Sequence, residues 1–206
     1  MLPSILYAPD SLNVQIFHAI NNIQNAGFQS AMQALSALGN YKLFPLYLLL
    51  IVGWLALRAK NVRALQGAEA YTVYIKQARH LVISLVLCYV VYLVWVTGLK
   101  HLLSLPRPFA YLPEGTVFIK DSIRQKEEPF VSFPSGHSGF AMLMLVVFWS
   151  RLNGFSKIAG IALVLGIAVS RIALGVHFPS DVTGTLILSF IVTLLVLRLY
   201  RKYRPE

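Results

Sequence analysis

The sequence predicts an all-α fold, a polytopic membrane helix bundle of about six helices. Apolar residues make up 57% of the 206 residues and charged residues only 13%, and the mean hydropathy is +0.65. A soluble domain carries about twice that charged fraction. Five apolar segments also approach the length of about 20 residues that a helix needs to cross a bilayer. Composition and segment length together therefore favour membrane embedding.

The five predicted spans cover residues 43–58, 79–99, 138–152, 157–176 and 181–199. Pro45 falls in the first turn of the first span, where its missing N–H is tolerated. The third span is short, but its apolar run from Phe140 to Trp149 is continuous. Cys88 is the one cysteine of the chain and lies in the second span, so no intramolecular disulfide can form.

Residues 11–36 predict a sixth helix. Leucine and isoleucine recur there at helical spacing, and several Asn and Gln residues form a polar side. This pattern suits an amphipathic helix in the membrane interface or a polar-faced helix packed inside the bundle. The sequence does not decide how deeply this helix lies in the membrane. No repeat, low-complexity tract or linker divides the chain, so we expect residues 1–206 to form one membrane-embedded domain. A basic region followed by an apolar core is missing near the N-terminus, so no cleavable signal peptide is expected.

Three polar motifs interrupt this apolar chain, at residues 100–108, 134–138 and 170–181. The first follows the second predicted span, the second precedes the third span, and the third joins the fourth span to the fifth. Because the spans alternate in direction, all of these ends lie on one face of the membrane. We therefore expect a shared site there, with residues 109–133 as a loop on the same face.

The basic residues give the orientation of the bundle. Most of the 18 lie on the face opposite the motifs: Arg58, Lys60, Arg63, Lys76, Arg79, Arg151, Lys157, Arg198, Arg201, Lys202 and Arg204. By the positive-inside rule, the face that carries the motifs and the 109–133 loop is non-cytoplasmic. The chain is compact and shows no organelle signal, so we expect a bacterial inner-membrane protein with a periplasmic site. The net charge of +10 would also suit nucleic acid, but no basic amphipathic helix or aromatic-basic motif supports that partner.

In the first motif, Arg107 lies between two prolines that hold its backbone in a stiff, extended segment. A guanidinium fixed in this way suits bidentate recognition of a phosphate. Lys100, at the end of a span, either binds an anion as well or extends to the membrane interface.

The second motif, Pro134-Ser135-Gly136-His137, opens an apolar helix. The first N–H groups of a helix and the positive end of its dipole attract anions. Gly136 would let backbone approach a ligand, Ser135 would cap the helix or donate a hydrogen bond, and His137 adds an acid–base group. An ordinary capped helix start explains the first three residues but does not require the histidine.

The third motif places Arg171 inside an apolar helix, followed by His177 and Asp181. An arginine buried there without a partner or ligand costs at least about 2.5 kcal/mol. His177 and Asp181 are four residues apart, so a helical turn can bring the carboxylate to the imidazole. A carboxylate that accepts from one ring nitrogen leaves the other free as a nucleophile. A helix-capping pair is the plainer alternative.

Histidines and a carboxylate can also bind a metal. The chain has no His-x-x-x-His or paired-carboxylate signature, and the three cations of the motifs would repel a metal ion. The motifs therefore favour an anion, and we expect no metal and no other cofactor.

Together the three motifs resemble the tripartite signature of the type 2 phosphatidic acid phosphatase superfamily: Lys100-x6-Arg107-Pro108, Pro134-Ser135-Gly136-His137 and Ser170-Arg171-x5-His177-x3-Asp181. That superfamily also contains vanadium haloperoxidases and glucose-6-phosphatase. The resemblance covers residues 80–200 and matches every signature position. It implies a six-helix membrane bundle of the lipid phosphatase branch, acting as a metal-independent phosphomonoesterase or pyrophosphatase.

The resemblance also implies a role for each signature residue. His177 would attack phosphorus and form a phosphohistidine, Asp181 would orient it, and His137 would protonate the leaving oxygen. The phosphate oxygens would be bound by the remaining residues: Lys100, Arg107, Ser135, Gly136 and Arg171. Phosphoryl transfer needs mostly positioning and charge stabilisation, which agrees with these residue types.

A site at the surface of an apolar bundle favours a lipid phosphate whose tail stays in the bilayer. Undecaprenyl pyrophosphate, phosphatidylglycerophosphate, phosphatidic acid and lipid A phosphates all fit. In the loop, Lys120, Arg124 and Lys126 either contact a second phosphate or form a solvated surface. A lipid phosphotransferase would use the same residues, whereas an anion transporter or channel would need charges spread along several helices and an internal repeat. The sequence leaves the oligomeric state open.

Overall fold

A computed structural model describes residues 7–8 and 10–203. The two ends of the predicted domain 1–206, with Arg204 of the basic face, lie outside the described residues. Within the described ranges every regular element is helical. Three helical stretches are long and apolar enough to cross a membrane: Tyr41–Tyr111, Gly154–Ala173 and Pro179–Tyr203. The predicted all-α membrane bundle is confirmed.

The helices are α1 (Leu12–Asn21), α2 (Ala26–Leu38), α3 (Phe44–Leu103), α4 (Pro108–Tyr111), α5 (Asp121–Arg124), α6 (Gly136–Phe148), α7 (Gly154–Ala173) and α8 (Pro179–Tyr203). Short 3₁₀ turns precede α3 at Tyr41–Leu43 and follow α6 at Trp149–Arg151.

Helix α3 is a hairpin of two antiparallel arms, residues 44–66 and 68–103, because the chain reverses at Gly67. Gly67 has φ 86° and ψ −177°, a conformation that only glycine adopts readily. Tyr89 Oη donates to the backbone oxygen of Tyr41, 48 residues away, whereas a straight helix would separate these residues by about 70 Å. The ring of Tyr89 also stacks on Phe44 at 3.8 Å between centroids.

The two arms contain the predicted spans 43–58 and 79–99. Between the spans, residues 59–78 continue both arms as helix to the tip at Gly67. Tyr74 Oη donates to the oxygen of Leu55 across the hairpin, at 3.1 Å. The sequence predicted both crossings, but it gave no indication that their connection is itself helical.

The prediction of one helix over residues 11–36 was wrong, because two helices form there. Helix α1 ends at Asn21, and Asn25 starts α2 by accepting a hydrogen bond from the Phe28 N–H at 3.2 Å. Asparagine is among the best N-cap residues, so the asparagines of this segment end one helix and begin the next. With 10 and 13 residues, both helices are shorter than the roughly 20 residues that a span requires.

Helix α6 is shorter than the predicted span 138–152. It ends at Phe148, and the chain continues as the 3₁₀ turn Trp149–Arg151. Helices α3, α7 and α8 pack around it, and its Phe140 and Leu143 side chains are fully buried. A helix enclosed by other helices does not need to match the hydrocarbon thickness, because protein rather than lipid surrounds its ends. Helix α6 is thus the central element of the bundle.

Replacing Gly67 with alanine tests the hairpin turn. No atom lies within 4 Å of a Cβ built at Gly67 or at Gly53, which is an ordinary helical glycine of the first arm. Packing therefore does not distinguish the two sites. Only Gly67→Ala places a non-glycine residue in a strained backbone conformation, which lowers the stability by about 1–3 kcal/mol. We expect Gly67→Ala to lower the thermal unfolding midpoint in detergent and Gly53→Ala to maintain or raise it. Equal midpoints for the two variants would contradict the turn.

Candidate active site

The three motifs meet at one cavity of about 440 Å³. Five of the predicted site residues contribute side chains to its lining: Lys100, Arg107, His137, Arg171 and His177. Gly136 also lines it, while Ser135 and Asp181 are fully buried behind the wall. The structure therefore brings together all eight residues that the sequence singled out.

Arg107 is held by its backbone and by its whole side chain. Its N–H donates to the oxygen of Pro129 at 2.8 Å, at the entry to α4. The guanidinium donates from Nε to the oxygen of Glu128 and from Nη1 to the oxygen of Val176, both at 2.8 Å. The rigid placement expected from the flanking prolines is thus completed by contacts with two other segments.

Arg171, in the last turn of α7, is 4% exposed. Its Nη1 donates to Ser36 Oγ of α2 at 2.7 Å, and its Nη2 pairs with Glu127 Oε1 at 2.5 Å. Its Nε is buried and has no hydrogen-bond partner. A donor left in this state costs about 1–3 kcal/mol, so the guanidinium retains the capacity to bind one more acceptor.

Glu127 is a site residue that the sequence analysis missed. Its second oxygen, Oε2, pairs with Arg107 Nη2 at 2.5 Å, so one carboxylate bridges both arginines inside the cavity. Burial acts to raise the pKa of Glu127, but the guanidiniums of Arg171 and Arg107 outweigh it, and the pKa is lowered. Glu127 is therefore ionised. A glutamate in a charged loop carries no sequence signal for such a position.

Lys100 does not extend away from the bundle to the membrane interface. Its Nζ donates to the oxygen of Val131 at 2.7 Å, and its side chain lines the cavity. One bond leaves two of the three ammonium hydrogens available. Lys100 can therefore contribute to binding an anion beside the two arginines.

A left-handed turn brings His177 to the cavity. Gly175 follows α7 with φ 76°, and a Cβ there would lie 2.7 Å from the oxygen of Phe118. Glycine at this position both ends the helix and permits the close approach of the loop. After the turn, the N–H groups of Val176 and His177 donate back to the oxygen of Arg171, which fixes the histidine next to that arginine.

The tautomer of His177 follows from its neighbours. Its Nε2 lies 3.3 Å from Arg107 Nη1. A guanidinium can only donate, so Nε2 must present its lone pair and the ring proton must be on Nδ1. Burial, followed by the charges of Arg107 and Arg171, lowers the pKa of His177 well below its usual value. The imidazole is therefore neutral, with its unprotonated Nε2 on the cavity side.

The direct hydrogen bond expected between His177 and Asp181 is not formed. Their Nδ1 and Oδ2 atoms are 3.8 Å apart, and Ser132 Oγ lies between them, 3.5 Å from Nδ1 and 2.6 Å from Oδ2. Because the hydroxyl donates to the carboxylate, its lone pairs face the Nδ1 proton. Asp181 is therefore connected to His177 through Ser132, which the sequence analysis did not identify.

Asp181 also caps the helix that carries it. Its Oδ2 accepts from the Phe178 N–H at 2.9 Å, the reverse arm of a capping box, and Pro179 occupies the first position of α8. Tyr7 Oη donates to Oδ1 at 3.0 Å, and the Tyr7 ring stacks on Phe178. The capping alternative was therefore correct for Asp181 and compatible with an orienting role.

At the start of α6, Ser135 and Gly136 make contacts that the sequence did not predict. Ser135 occupies the N-cap position but makes no capping hydrogen bond, because its Oγ pairs with Ser138 Oγ at 3.1 Å. A Cβ on Gly136 would lie 2.6 Å from the Tyr41 ring. Glycine is thus required there by the close approach of the tyrosine ring. His137 lines the cavity, and its ring meets the Tyr41 ring edge-on at 6.1 Å.

Sequence comparison connects the chain to known proteins. A model of the PAP2 superfamily matches residues 77–205. Phosphatidylglycerophosphatase B of Haemophilus influenzae is 31% identical, with 52% of this chain and 60% of that protein covered, so the chain spans less than two thirds of that relative. Bacitracin transport permease protein BcrC of Bacillus licheniformis is 27% identical, with 90% of this chain and 79% of that protein covered.

Solved structures show the same fold. The crystal structure of Aquifex aeolicus LpxE superposes with a TM-score of 0.62 at 23% identity and covers 93% of this chain and 98% of that one. The first transmembrane PAP2 type phosphatidylglycerolphosphate phosphatase from Bacillus subtilis gives a TM-score of 0.63 at 21% identity, with coverages of 97% and 92%. The family match contains all three motifs and most of the chain, and the resemblance that these motifs carry is confirmed: the chain belongs to the PAP2 superfamily.

Proposed function

We propose that this protein is an integral-membrane lipid phosphatase that hydrolyses a phosphomonoester or diphosphate head group through a phosphohistidine, without a metal. One observation carries the proposal: the cavity between the motifs holds a carboxylate clamped by two buried guanidiniums, next to a neutral histidine. A site that binds one anion through charge-assisted hydrogen bonds from two arginines suits a phosphoryl group.

Glu127 occupies the place of the phosphoryl oxygens. When substrate enters, the carboxylate leaves and the phosphoryl oxygens take over Arg107 Nη2 and Arg171 Nη2. The buried Nε of Arg171 and the free hydrogens of Lys100 add donors that Glu127 does not use. These fixed cations stabilise the charge that develops on the oxygens in the transition state.

The chemistry then proceeds in two steps. His177 Nε2 attacks phosphorus, and the bond from phosphorus to the lipid oxygen breaks while His137 gives that oxygen a proton. Water, deprotonated by His137, then attacks the phosphohistidine and releases inorganic phosphate. Ser132 and Asp181 keep the Nδ1 proton of His177 in place throughout.

The membrane setting supports a lipid substrate. Helices α3 and α7, which contribute Lys100 and Arg171 to the cavity, are long and apolar enough to span a bilayer, so a lipid tail can remain in the membrane while its head group enters. The names of the Haemophilus influenzae relative and the Bacillus subtilis structure refer to phosphatidylglycerophosphate. The basic residues at the opposite end support an inner-membrane orientation with the cavity on the periplasmic face.

Purified protein in EDTA should release inorganic phosphate from at least one of phosphatidylglycerophosphate, phosphatidic acid, undecaprenyl pyrophosphate and lipid A. His177→Ala should reduce kcat at least about a thousandfold, because it removes the nucleophile. Loss of all activity on chelation would contradict the metal-free mechanism, and near-normal turnover by His177→Ala would exclude the phosphohistidine.

The protonation state of His177 can be measured without turnover. Burial and the neighbouring guanidiniums hold its pKa below that of a free imidazole, about 6.5. In a protein labelled with ¹³C-histidine, the His177 resonance, assigned by its absence in His177→Asn, should remain that of the neutral ring at pH 6. A titration midpoint at or above 6.5 would contradict the neutral nucleophile.

Glu127→Gln tests the exchange between carboxylate and phosphate. Removing the competing charge should lower the inhibition constant of inorganic phosphate about tenfold, since a hydrogen bond to a charged group contributes about 1.5–3 kcal/mol. Glu128→Gln is the matched control, because its backbone oxygen contacts Arg107 while its carboxylate pairs with neither arginine. Weaker phosphate binding by Glu127→Gln would mean that the carboxylate assists the anion site rather than occupying it.

A further inference from the structure

The cavity is larger than the site that the three motifs build. Beyond the motif residues, its lining includes side chains from α2, from the turn before α3 and from the loop: Gln33, Asn40, Tyr41, Lys42, Ser122 and Lys126. A volume of about 440 Å³ has room for much more than one phosphoryl group. The additional part is polar and contains residues to which the proposed chemistry assigns no role.

Two lysines in this part have no carboxylate to neutralise them. The ion pairs among the described residues involve Glu127 and Asp181 only, and neither Lys42 nor Lys126 takes part in one. The one acidic residue in the lining, Glu127, is bound to the two arginines. After a phosphoryl group has replaced Glu127, these lysines still present positive charge to the same cavity.

Gln33 adds a hydrogen-bond donor without an acceptor. Its Nε2 is buried in the wall and has no partner, a state that destabilises the fold unless a ligand supplies the acceptor. Gln33 precedes Ser36 by three residues on α2, so both lie on the same helix face. Because Ser36 accepts from Arg171, the unpaired amide lies on the face of α2 that borders the phosphoryl site.

The position of Lys42 connects these residues to the leaving group. Lys42 lines the same cavity as His137, and the adjacent Tyr41 packs against the His137 ring. In the proposed mechanism His137 protonates the leaving oxygen. Groups around His137 therefore contact what leaves with that oxygen, and here this leaving group meets positive charge.

We propose that Lys42, Lys126 and Gln33 form a second anion subsite that binds the inner phosphate of a lipid diphosphate. The proposal rests on the proposed function and specifies its substrate class. His177 Nε2 bonds to the outer phosphorus, and the bond to the bridging oxygen breaks with its electron pair on that oxygen, which takes the proton of His137. Lipid monophosphate leaves, and water then converts the phosphohistidine to inorganic phosphate.

Turnover of two matched substrates tests the specificity. The substrates are the diphosphate and the monophosphate of one isoprenoid alcohol in detergent micelles, compared by kcat/KM. Wild type should prefer the diphosphate. Lys42→Gln should lower kcat/KM for the diphosphate at least about tenfold. It should lower kcat/KM for the monophosphate much less, because the alcohol that leaves from the monophosphate is uncharged once protonated. Lys120→Gln, a loop lysine outside the lining, is the matched control and should resemble wild type.

Binding to the inactive His177→Ala protein tests the subsite apart from catalysis. Inorganic pyrophosphate should bind at least about tenfold more tightly than orthophosphate, and adding Lys42→Gln or Gln33→Leu should remove that difference. Equal binding of the two ions, or equal losses on both substrates, would overturn the subsite even if the enzyme hydrolyses lipid phosphates. Preferential pyrophosphate binding by a protein without phosphatase activity would instead refute the proposed function and retain the subsite.

Discussion

Two guanidiniums buried side by side in an apolar bundle require an anion, and the rest of the site is arranged around that requirement. Arg107 and Arg171 are 3% and 4% exposed, and removing one partner from buried charges of this kind costs about 3–5 kcal/mol. In the resting structure Glu127 supplies the negative charge. Glu127 therefore helps to fold the loop between the first two motifs into the site, together with the loop side chains Ile119 and Ile123, which pack against the end of α7.

The N-terminal segment, which carries no motif, holds the site together. Asn21 is fully buried, donates to the oxygens of Phe118 and Ala173 and accepts from the Phe118 N–H, which ties α1 to both the loop and the end of α7. Ser36 positions Arg171, and Tyr7 bonds Asp181. Polar residues that resemble one side of an amphipathic helix thus satisfy buried polar groups at the site.

The charges of the cavity divide the proposed substrate into two parts. Arg107 lies beside His177 Nε2, where the transferred phosphoryl group would lie, whereas Lys42 lines the cavity next to Tyr41, which packs against His137 on the side of the leaving group. Stabilisation of the transferred group is then a property of the whole family signature. Discrimination between head groups would depend on α2, the turn before α3 and the loop, which lie outside the signature.

By itself the sequence determined the helical membrane fold, the shared face of the three motifs and the eight signature residues, because hydropathy and alternating spans fix connectivity across a bilayer. Only the tertiary structure decided what surrounds those residues. The hairpin turn at Gly67, the break between α1 and α2, and the short α6 depend on packing between helices rather than on hydropathy. Glu127, Ser132 and Gln33 are ordinary polar residues in sequence. They acquire their roles because folding places Glu127 against buried cations, Ser132 against an imidazole and Gln33 in a cavity wall. Glu127 and Ser132 are far along the chain from Arg171 and His177, so no local sequence pattern could predict these contacts.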